Sequence, residues 1–506
     1  MSRENRFIRR RTGLAPQGNT ADWHYRNEEA YYRDIEKARD MDRNDSIIGQ
    51  TIDRAVDNIV QGGFTLDPRT GDKDVDSRLR EKWLQWSGQP DACDIQGEFC
   101  WHDFERHAVR SMLLDGDIVF LGLGGKPGDP QEGRLQSIEA HSIRTSTRQD
   151  DTVLGVTKNE YGKRLKYWIV QDPIEPNSTK ELSEPVDVRD ENGLRTLFHI
   201  YRPDRVSQTR GVTALAPIFS VAGMRDDIQF AHLVQRQVAA CFAIFRKRQY
   251  IPNDPHSETP GYGQSSTEST EAGVRYIENI APGMEIIGAP GEELDGFSPD
   301  IPGAGYEFQL KEMLTTIGVN LGLPLCLVLM DGSETNFSGW RGAVDEARKG
   351  FRCNQRNLIQ RLHTPVYQWK LSHWVEEDSF LKAASEDPKI RFSEHKWNAP
   401  AWQYIDPVGD AKGDQLRQQS MLTSPRRMHA ERGADFEDIA NETIEDYARA
   451  VLKAKRVAKD INSEVEDGAP VHWQQLLPIP MPTGVQMTMS DPNDAKTLEQ
   501  REAASA

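Results

Sequence analysis

Apolar positions recur at helical spacing in the first sixty residues. Ile47, Ile48, Ile52, Ala55, Val56 and Ile59 fall near i, i+4, i+8, predicting helix from Tyr25 to about Gln61, where Gly62-Gly63 stops it. An extended segment opens at Phe64. Two more helices follow, over Asp74–Trp86 (Leu79, Trp83, Leu84) and Phe104–Leu114, and the second leads into the apolar strand Asp117–Leu123. Short strands are predicted at Leu135–Ile138, Thr152–Thr157, Leu165–Val170 and Thr196–Tyr201, divided by Gly, Pro and Asp turns. This first part is mixed α+β.

From Pro217 the pattern changes to one long helix reaching Arg248. On it Phe230, Val234, Val238, Cys241 and Phe245 share a face, and Arg225, Gln229 and Arg236 lie off it. Ile251 to Gly273 has loop chemistry. Strands are predicted at Gly273–Glu278 and Met284–Ile287, then a helix over Tyr306–Leu321 (Phe308, Leu310, Met313, Leu314, Ile317) closed by Gly322 and Pro324. Gly322 to Gly339 reads as a loop, apolar first and then small and polar. A helix from Trp340 to about Val375 is interrupted at Pro365. Strand-like Lys389–Phe392 and Trp402–Ile405 follow. Helix returns from Asp410 to Val457, broken at Ser424-Pro425 and Gly433, and the chain after Ile461 lacks a packing pattern.

Composition narrows the function classes. A chain of 506 residues exceeds a single hydrophobic core. Its 62 basic and 79 acidic residues give −17, which argues against gripping nucleic acid or an anionic membrane with the whole surface. The longest apolar stretches, Val238–Phe245 and Leu325–Met330, are far shorter than the ~18 residues of a membrane helix. Five scattered cysteines (Cys93, Cys100, Cys241, Cys326, Cys353) do not form a disulfide framework, so a reduced, cytoplasmically made chain is expected. Arg3, Arg6, Arg9, Arg10 and Arg11 lie in a segment without the apolar run of a secretory leader and read as a solvated arm.

Catalytic motifs fail on spacing. Leu121-Gly-Leu-Gly-Gly-Lys follows a strand, but Pro127 stands where a third nucleotide-loop glycine belongs, so a strand-end turn is expected. Cys93, Cys100 and His102 do not have zinc-ligand spacing and read as two buried thiols and a helix-start histidine. Asp115 and Asp117 pair carboxylates in a turn, leaving a metal-dependent nuclease or other hydrolase as the alternative reading. No cofactor or metal site is expected.

One charge pattern stands out. Arg341, Arg348, Arg352 and Arg356 fall within an arc of about 80° on the helix from Trp340, while Val344, Ala347, Phe351, Leu358 and Leu362 occupy a separate arc. By itself this is an amphipathic helix with a solvated face.

The order of several segments adds a resemblance. Ala55-Val-Asp-Asn-Ile-Val-Gln-Gly-Gly-Phe, Val109-Arg-Ser-Met-Leu-Leu-Asp-Gly-Asp-Ile-Val-Phe and Gly155-Val-Thr-Lys-Asn-Glu-Tyr-Gly resemble segments of the lambda-family portal proteins of tailed bacteriophages. So do the run from Leu197 through Thr209-Arg-Gly to Ile218, Ala401-Trp-Gln-Tyr-Ile-Asp-Pro, and Ala430 to Ile439. The similarity spans roughly residues 25–460. It implies an α+β portal fold: a basic arm (1–24), a mixed wing (25–216), stem helices (217–250 and 306–322) flanking a small clip (251–305), a tunnel loop (323–339), a broken helix with wing strands (340–409), a helical crown (410–460) and a tail (461–506).

It further implies a structural, non-enzymatic protein of the virion, made in the host cytoplasm. A homododecamer at the unique capsid vertex would form a channel for double-stranded DNA and meet terminase, the head–tail adaptor and the major capsid protein, with no membrane. Arg341, Arg348, Arg352 and Arg356 are then the channel candidates. Asp331, Gly332, Ser333, Glu334, Thr335, Asn336, Phe337, Ser338 and Gly339 are the tunnel-loop candidates.

Overall fold

The initial helical pattern divides at Asp45, whose carboxylate accepts the backbone N–H groups of Ile47 and Ile48 in the turn that starts the next helix. Helix α1 spans Glu28–Asn44 and α2 Ile48–Val60. The computed structural model describes residues 28–124, 133–145, 152–170, 183–241, 244–246, 265–270, 273–278, 285–287, 304–333, 335–402, 406–432, 436–464 and 471–476. The basic arm, most of the expected clip, Glu334, Gln403–Ile405 and most of the tail lie outside them.

Strand β1 (Thr65–Pro68) precedes α3 (Lys73–Ser87), the single turn α4 (Pro90–Cys93) and α5 (Trp101–Leu114). Next come β2 (Asp117–Leu123), β3 (Arg134–Glu139), β4 (Thr152–Val153), β5 (Val156–Lys158), β6 (Arg164–Val170), β7 (Ser183–Asp187) and β8 (Leu197–Tyr201). They form a three-stranded sheet, β3-β2-β8, and a four-stranded sheet, β4-β5-β6-β7, both antiparallel. The single strand expected over Thr152–Thr157 is a tight hairpin, because Leu154 and Gly155 both take positive φ. β7 carried no alternating pattern and was not anticipated.

Gly122 lies inside β2, the strand expected over Asp117–Leu123, and Gly125 and Lys126 of the expected turn lie outside the described residues. A Cβ there would stand 2.5 Å from the indole of Trp369, so glycine is what admits the ring.

The long helix α6 covers Phe219–Cys241, and Ile244–Arg246 is a strand, β9, where helix was expected. Parallel pairing with β12 (Glu285–Ile287) overrides the local pattern. β10 (Ser265–Thr270), within the expected loop, pairs with β11 (Gly273–Glu278).

Next come α7 (Ala304–Leu321), α8 (Leu325–Leu329) and α9 (Phe337–Leu358), then a π-helical turn at Ile359–His363 and α10 (Thr364–Glu377). The interruption therefore begins before Pro365, which sits in the first turn of α10, where its missing N–H costs nothing. After α11 (Ser379–Glu386), Lys389–Phe392 is a turn rather than a strand, with Asp387 accepting the Lys389 N–H; Ile390 and Phe392 pack on the core. β13 (His395–Asn398) pairs with β1. The remaining helices are α12 (Pro407–Gln419), α13 (Pro425–Glu431) and α14 (Phe436–Glu464).

Contacts divide the chain into two units, Met1–Gly413 and Asp414–Ala506. The main core of the first joins the apolar faces of α2, α5, α9 and α10. At its centre Trp83 lies 5.1 Å from each of Trp86, Trp101 and Trp397, ring centre to ring centre. In the second unit Trp473 meets Lys455 of α14, and Asn462 bonds Val471 through both its amide groups. Part of the expected loose tail is therefore packed.

Candidate functional site

The expected tunnel loop splits into a fixed half and an exposed half. Leu323, Cys326 and Val328 are buried, and Arg54 of α2 donates to the Val328 carbonyl, so α8 is fastened to the core. Met330 then takes a left-handed conformation (φ 54°) while its side chain stands in solvent. Asp331, Gly332 and Ser333 form an Asx turn, and Thr335 N–H returns to the Gly332 carbonyl. Asn336 caps α9 by accepting Gly339 N–H at 2.7 Å, so Phe337, Ser338 and Gly339 are helical rather than loop. Replacing Met330 with glycine removes the left-handed penalty and is expected to raise stability by about 0.5 kcal/mol, read as a later denaturant midpoint.

On α9, Val344, Ala347, Phe351 and Leu358 are buried, as is Leu362 in the π-turn. The arginine arc faces the other way, but its charges are unequally available. Arg341 pairs with Asp410, and Arg348 lies 3.2 Å from Asp345. The guanidinium groups of Arg348 and Arg352 each rest 5.6 Å from the centre of the Trp402 ring, which is itself held by an indole hydrogen bond to the Asn58 carbonyl. Arg352 and Arg356 are exposed, and neither meets a carboxylate among the described residues. Periodicity found the arc; it did not show that two members are neutralised within the chain.

The Asp115/Asp117 pair is occupied. Arg39 donates to both oxygens of Asp115, at 2.8 and 2.7 Å. Asp117 is fully buried and receives Arg210 Nε at 2.6 Å, Arg210 Nη2 at 2.7 Å, His199 Nε2 at 2.9 Å and the Gly211 N–H at 2.9 Å. Arg210 spends its remaining donors on the carbonyls of Ala140, Ile143 and Leu154. The Tyr167 hydroxyl donates to His199 Nδ1, and the Tyr31 hydroxyl to the Gly211 carbonyl.

Burial works to raise the Asp117 carboxyl, but the Arg210 charge and the hydrogen bonds from Arg210 and His199 hold it well below the usual carboxylate range. Burial depresses His199 to about 3, outweighing the pull of Asp117. The pair thus forms a structural joint between α1 and the two sheets rather than an open carboxylate site for a metal-bound nucleophile. Gly116 and Gly211 let the backbones meet there: a Cβ on Gly211 would stand 1.8 Å from the Gly116 carbonyl oxygen.

A second buried knot joins α5 to the π-turn. Glu105 accepts His363 Nε2 at 2.8 Å and the Phe64 N–H at 3.3 Å. Burial raises the Glu105 carboxyl, yet its hydrogen bonds with His102 and His363 bring it below its ordinary value. Cys93 is buried. Cys100 is only half-buried and caps α5, its thiol donating to Asp103, so the expected second buried thiol is a helix cap. No cluster of metal-ligating side chains occurs among the described residues. Arg210, His199, Tyr167 and Tyr31 were not singled out from sequence, because their meeting depends on separations of up to 180 residues.

The described members of the apolar stripe of α6, Phe230 and Val234, face solvent, and so does Leu233 beside them. Phe230 is 70% and Leu233 59% exposed, while Arg225, off that stripe, is buried in an ion pair with Asp45. Helix α7 packs beside α6, with Tyr306 stacked on His232 at 3.9 Å, and it too leaves Phe308 and Val319 in solvent. No described helix is long and apolar enough to cross a membrane.

The family model for the phage portal protein, lambda family, matches residues 9–355. A probable portal protein of Halomonas phage phiHAP-1 is 22% identical over 473 residues, covering 89% of this chain and 86% of its own. Among solved structures, the neck of a native gene transfer agent particle computed with C12 symmetry aligns at TM-score 0.38 and 14% identity, over 85% of this chain and 99% of its own. A chain from the virion of the native particle aligns at TM-score 0.36 and 13% identity, over 83% and 94%. With more than half of its length matched by the family model, this chain belongs to the lambda family of phage portal proteins.

Proposed function

We propose that twelve copies of this portal subunit close into a ring at the unique vertex of the capsid, around a channel that passes double-stranded DNA during packaging and ejection. Terminase and the head–tail adaptor would dock on the ring in turn, and the major capsid protein would surround it. The observation that carries the reading is the outward apolar surface of α6 and α7. Phe230, Leu233, Phe308 and Val319 are solvent-facing on one chain, and a closed ring of head-to-tail contacts covers such faces repeatedly.

In this reading α6 and α7 form the stem, the segment between them the clip, residues 323–339 the tunnel loop, and α12–α14 the crown. Charge supports it as well. Twelve subunits of −17 carry about −204, so the ring as a whole repels a duplex, and each neutralised phosphate would add affinity through counterion release. Exposed Arg352 and Arg356 would centre DNA without arresting it, with Arg341 and Arg348 held back by their carboxylates.

Light scattering on the size-excluded protein tests the assembly. A mass near 690 kDa is expected, twelve times 57.3 kDa, and the Phe230→Glu/Phe308→Glu variant is expected to remain at one subunit with unchanged circular dichroism. Wild-type protein that stays monomeric at every ionic strength overturns the ring. Unchanged DNA retention in particles carrying alanine at all four channel arginines overturns their role.

A further inference from the structure

Arginines in this acidic chain commonly meet carboxylates: Arg39 meets Asp115, Arg78 meets Asp378, Arg110 meets Asp42 and Asp53, and Arg225 meets Asp45. One corner of the mixed α+β part differs. Arg164 of β6 donates through Nη2 to the Tyr201 hydroxyl (2.8 Å) and to the carbonyls of Gln208 (3.1 Å) and Thr209 (3.0 Å), while its Nε is buried without a partner. Arg361 of the π-turn lies 4.1 Å from the centre of the same Tyr201 ring and Arg164 4.9 Å from it. Arg361 Nε reaches Asn357, and Arg195 Nε reaches the Leu197 carbonyl.

None of the three meets a carboxylate among the described residues. Arg189, exposed on the adjoining hairpin, bridges to Arg195 through the backbone and donates to the Gly193 carbonyl. The acids of that hairpin tip are Asp190, which accepts the Leu194 N–H, and exposed Glu191. Burial, opposed by Tyr167, and then the charges of Arg189, Arg164 and Arg361 press Arg195 below the usual guanidinium value, so each of those three charges acts on Arg195.

We propose that Arg164 and Arg361, which flank Tyr201, together with Arg195 and its bridge partner Arg189 at the rim, bind a phosphate group, either free phosphate or a phosphate of a nucleic-acid backbone. Three half-buried cations without a counter-charge among the described residues oppose folding, and an anion removes that repulsion. The Nη groups of Arg195 and Arg361 have no acceptor among the described residues, and guanidinium forks match phosphate oxygens in pairs. Free phosphate brings up to two charges and several acceptor oxygens, closer to the needs of this group than the single charge of a carboxylate. The site is built from side chains of one chain, so it stands or falls separately from ring closure.

Calorimetric titration of the full chain with inorganic phosphate, at ionic strength held constant with chloride, tests it. Saturable binding is expected, weakened at least about tenfold in Arg195→Gln/Arg361→Gln and less in Arg189→Gln. Should the double variant fail to fold by circular dichroism, Arg195→Lys, which keeps the charge and loses the fork, is expected to weaken binding by several fold. No saturable uptake by the wild type, equal affinity in the folded variants, or tighter uptake of glutarate than of phosphate overturns the site. Short duplex DNA that displaces phosphate identifies the backbone as its source, and duplex that leaves phosphate bound identifies the free ion; either outcome keeps the site.

Discussion

Asp117→Asn is expected to destabilise the first unit by about 3–5 kcal/mol, the range for removing one partner of a buried ion pair. The cause is the guanidinium left behind. Arg210 is completely buried, and its carbonyl partners cannot supply a negative charge. The measurement is the urea dependence of the first unfolding transition, with the Asp117→Leu/Arg210→Met double variant as control. Because the double variant removes both charges, its loss should be smaller than the sum of the two single losses. An additive result would show that the two residues act separately.

The same joint sets a pH dependence. His199 is held neutral in the fold down to about 3, whereas in the unfolded chain it takes a proton near 6.5. Between those values the unfolded state binds more protons, so stability falls on acidification from about pH 6.5. The depressed carboxyl of Asp117 acts in the same direction: its contribution is complete above the ordinary carboxylate range and declines only below it. His199→Gln, whose amide can still donate to Asp117, should flatten the upper part of this slope.

Trp83→Ala is the second large effect, expected at about 3–5 kcal/mol. The indole joins α3 to α5, α10 and β13 through edge and tilted contacts with four other tryptophans, so its removal opens a cavity that no single element can close. Near-UV circular dichroism should collapse with it. Leu84, its neighbour in sequence, is 63% exposed, and alanine there should change stability by less than about 0.5 kcal/mol. Equal losses at the two positions would contradict the packing described.

Much of the fold was legible because local signals and tertiary structure agree. Helix α3, helix α5, strand β6 and strand β8 lie within a few residues of where periodicity placed them, and the apolar arc of α9 is core. The failures share a cause. Ile244–Arg246, Ser265–Thr270 and Ser183–Asp187 are strands through pairing partners elsewhere in the chain, which a local window does not contain. The arginine arc was visible as a period, but whether each charge is free depended on Asp410 and Trp402, more than forty residues away.

The amino-acid sequence alone determined the mixed class of the first part, the two long helices after Pro217, the acidic balance and the family resemblance, since these reside in spacing, composition and segment order. Tertiary structure decided which polar groups are closed and which are available. It buried Arg210 and Arg225 in ion pairs, left Phe230 and Phe308 in solvent and gathered arginines around Tyr201. A side chain's charge is a property of its residue type; its partner and its distance from water arise only when remote segments meet.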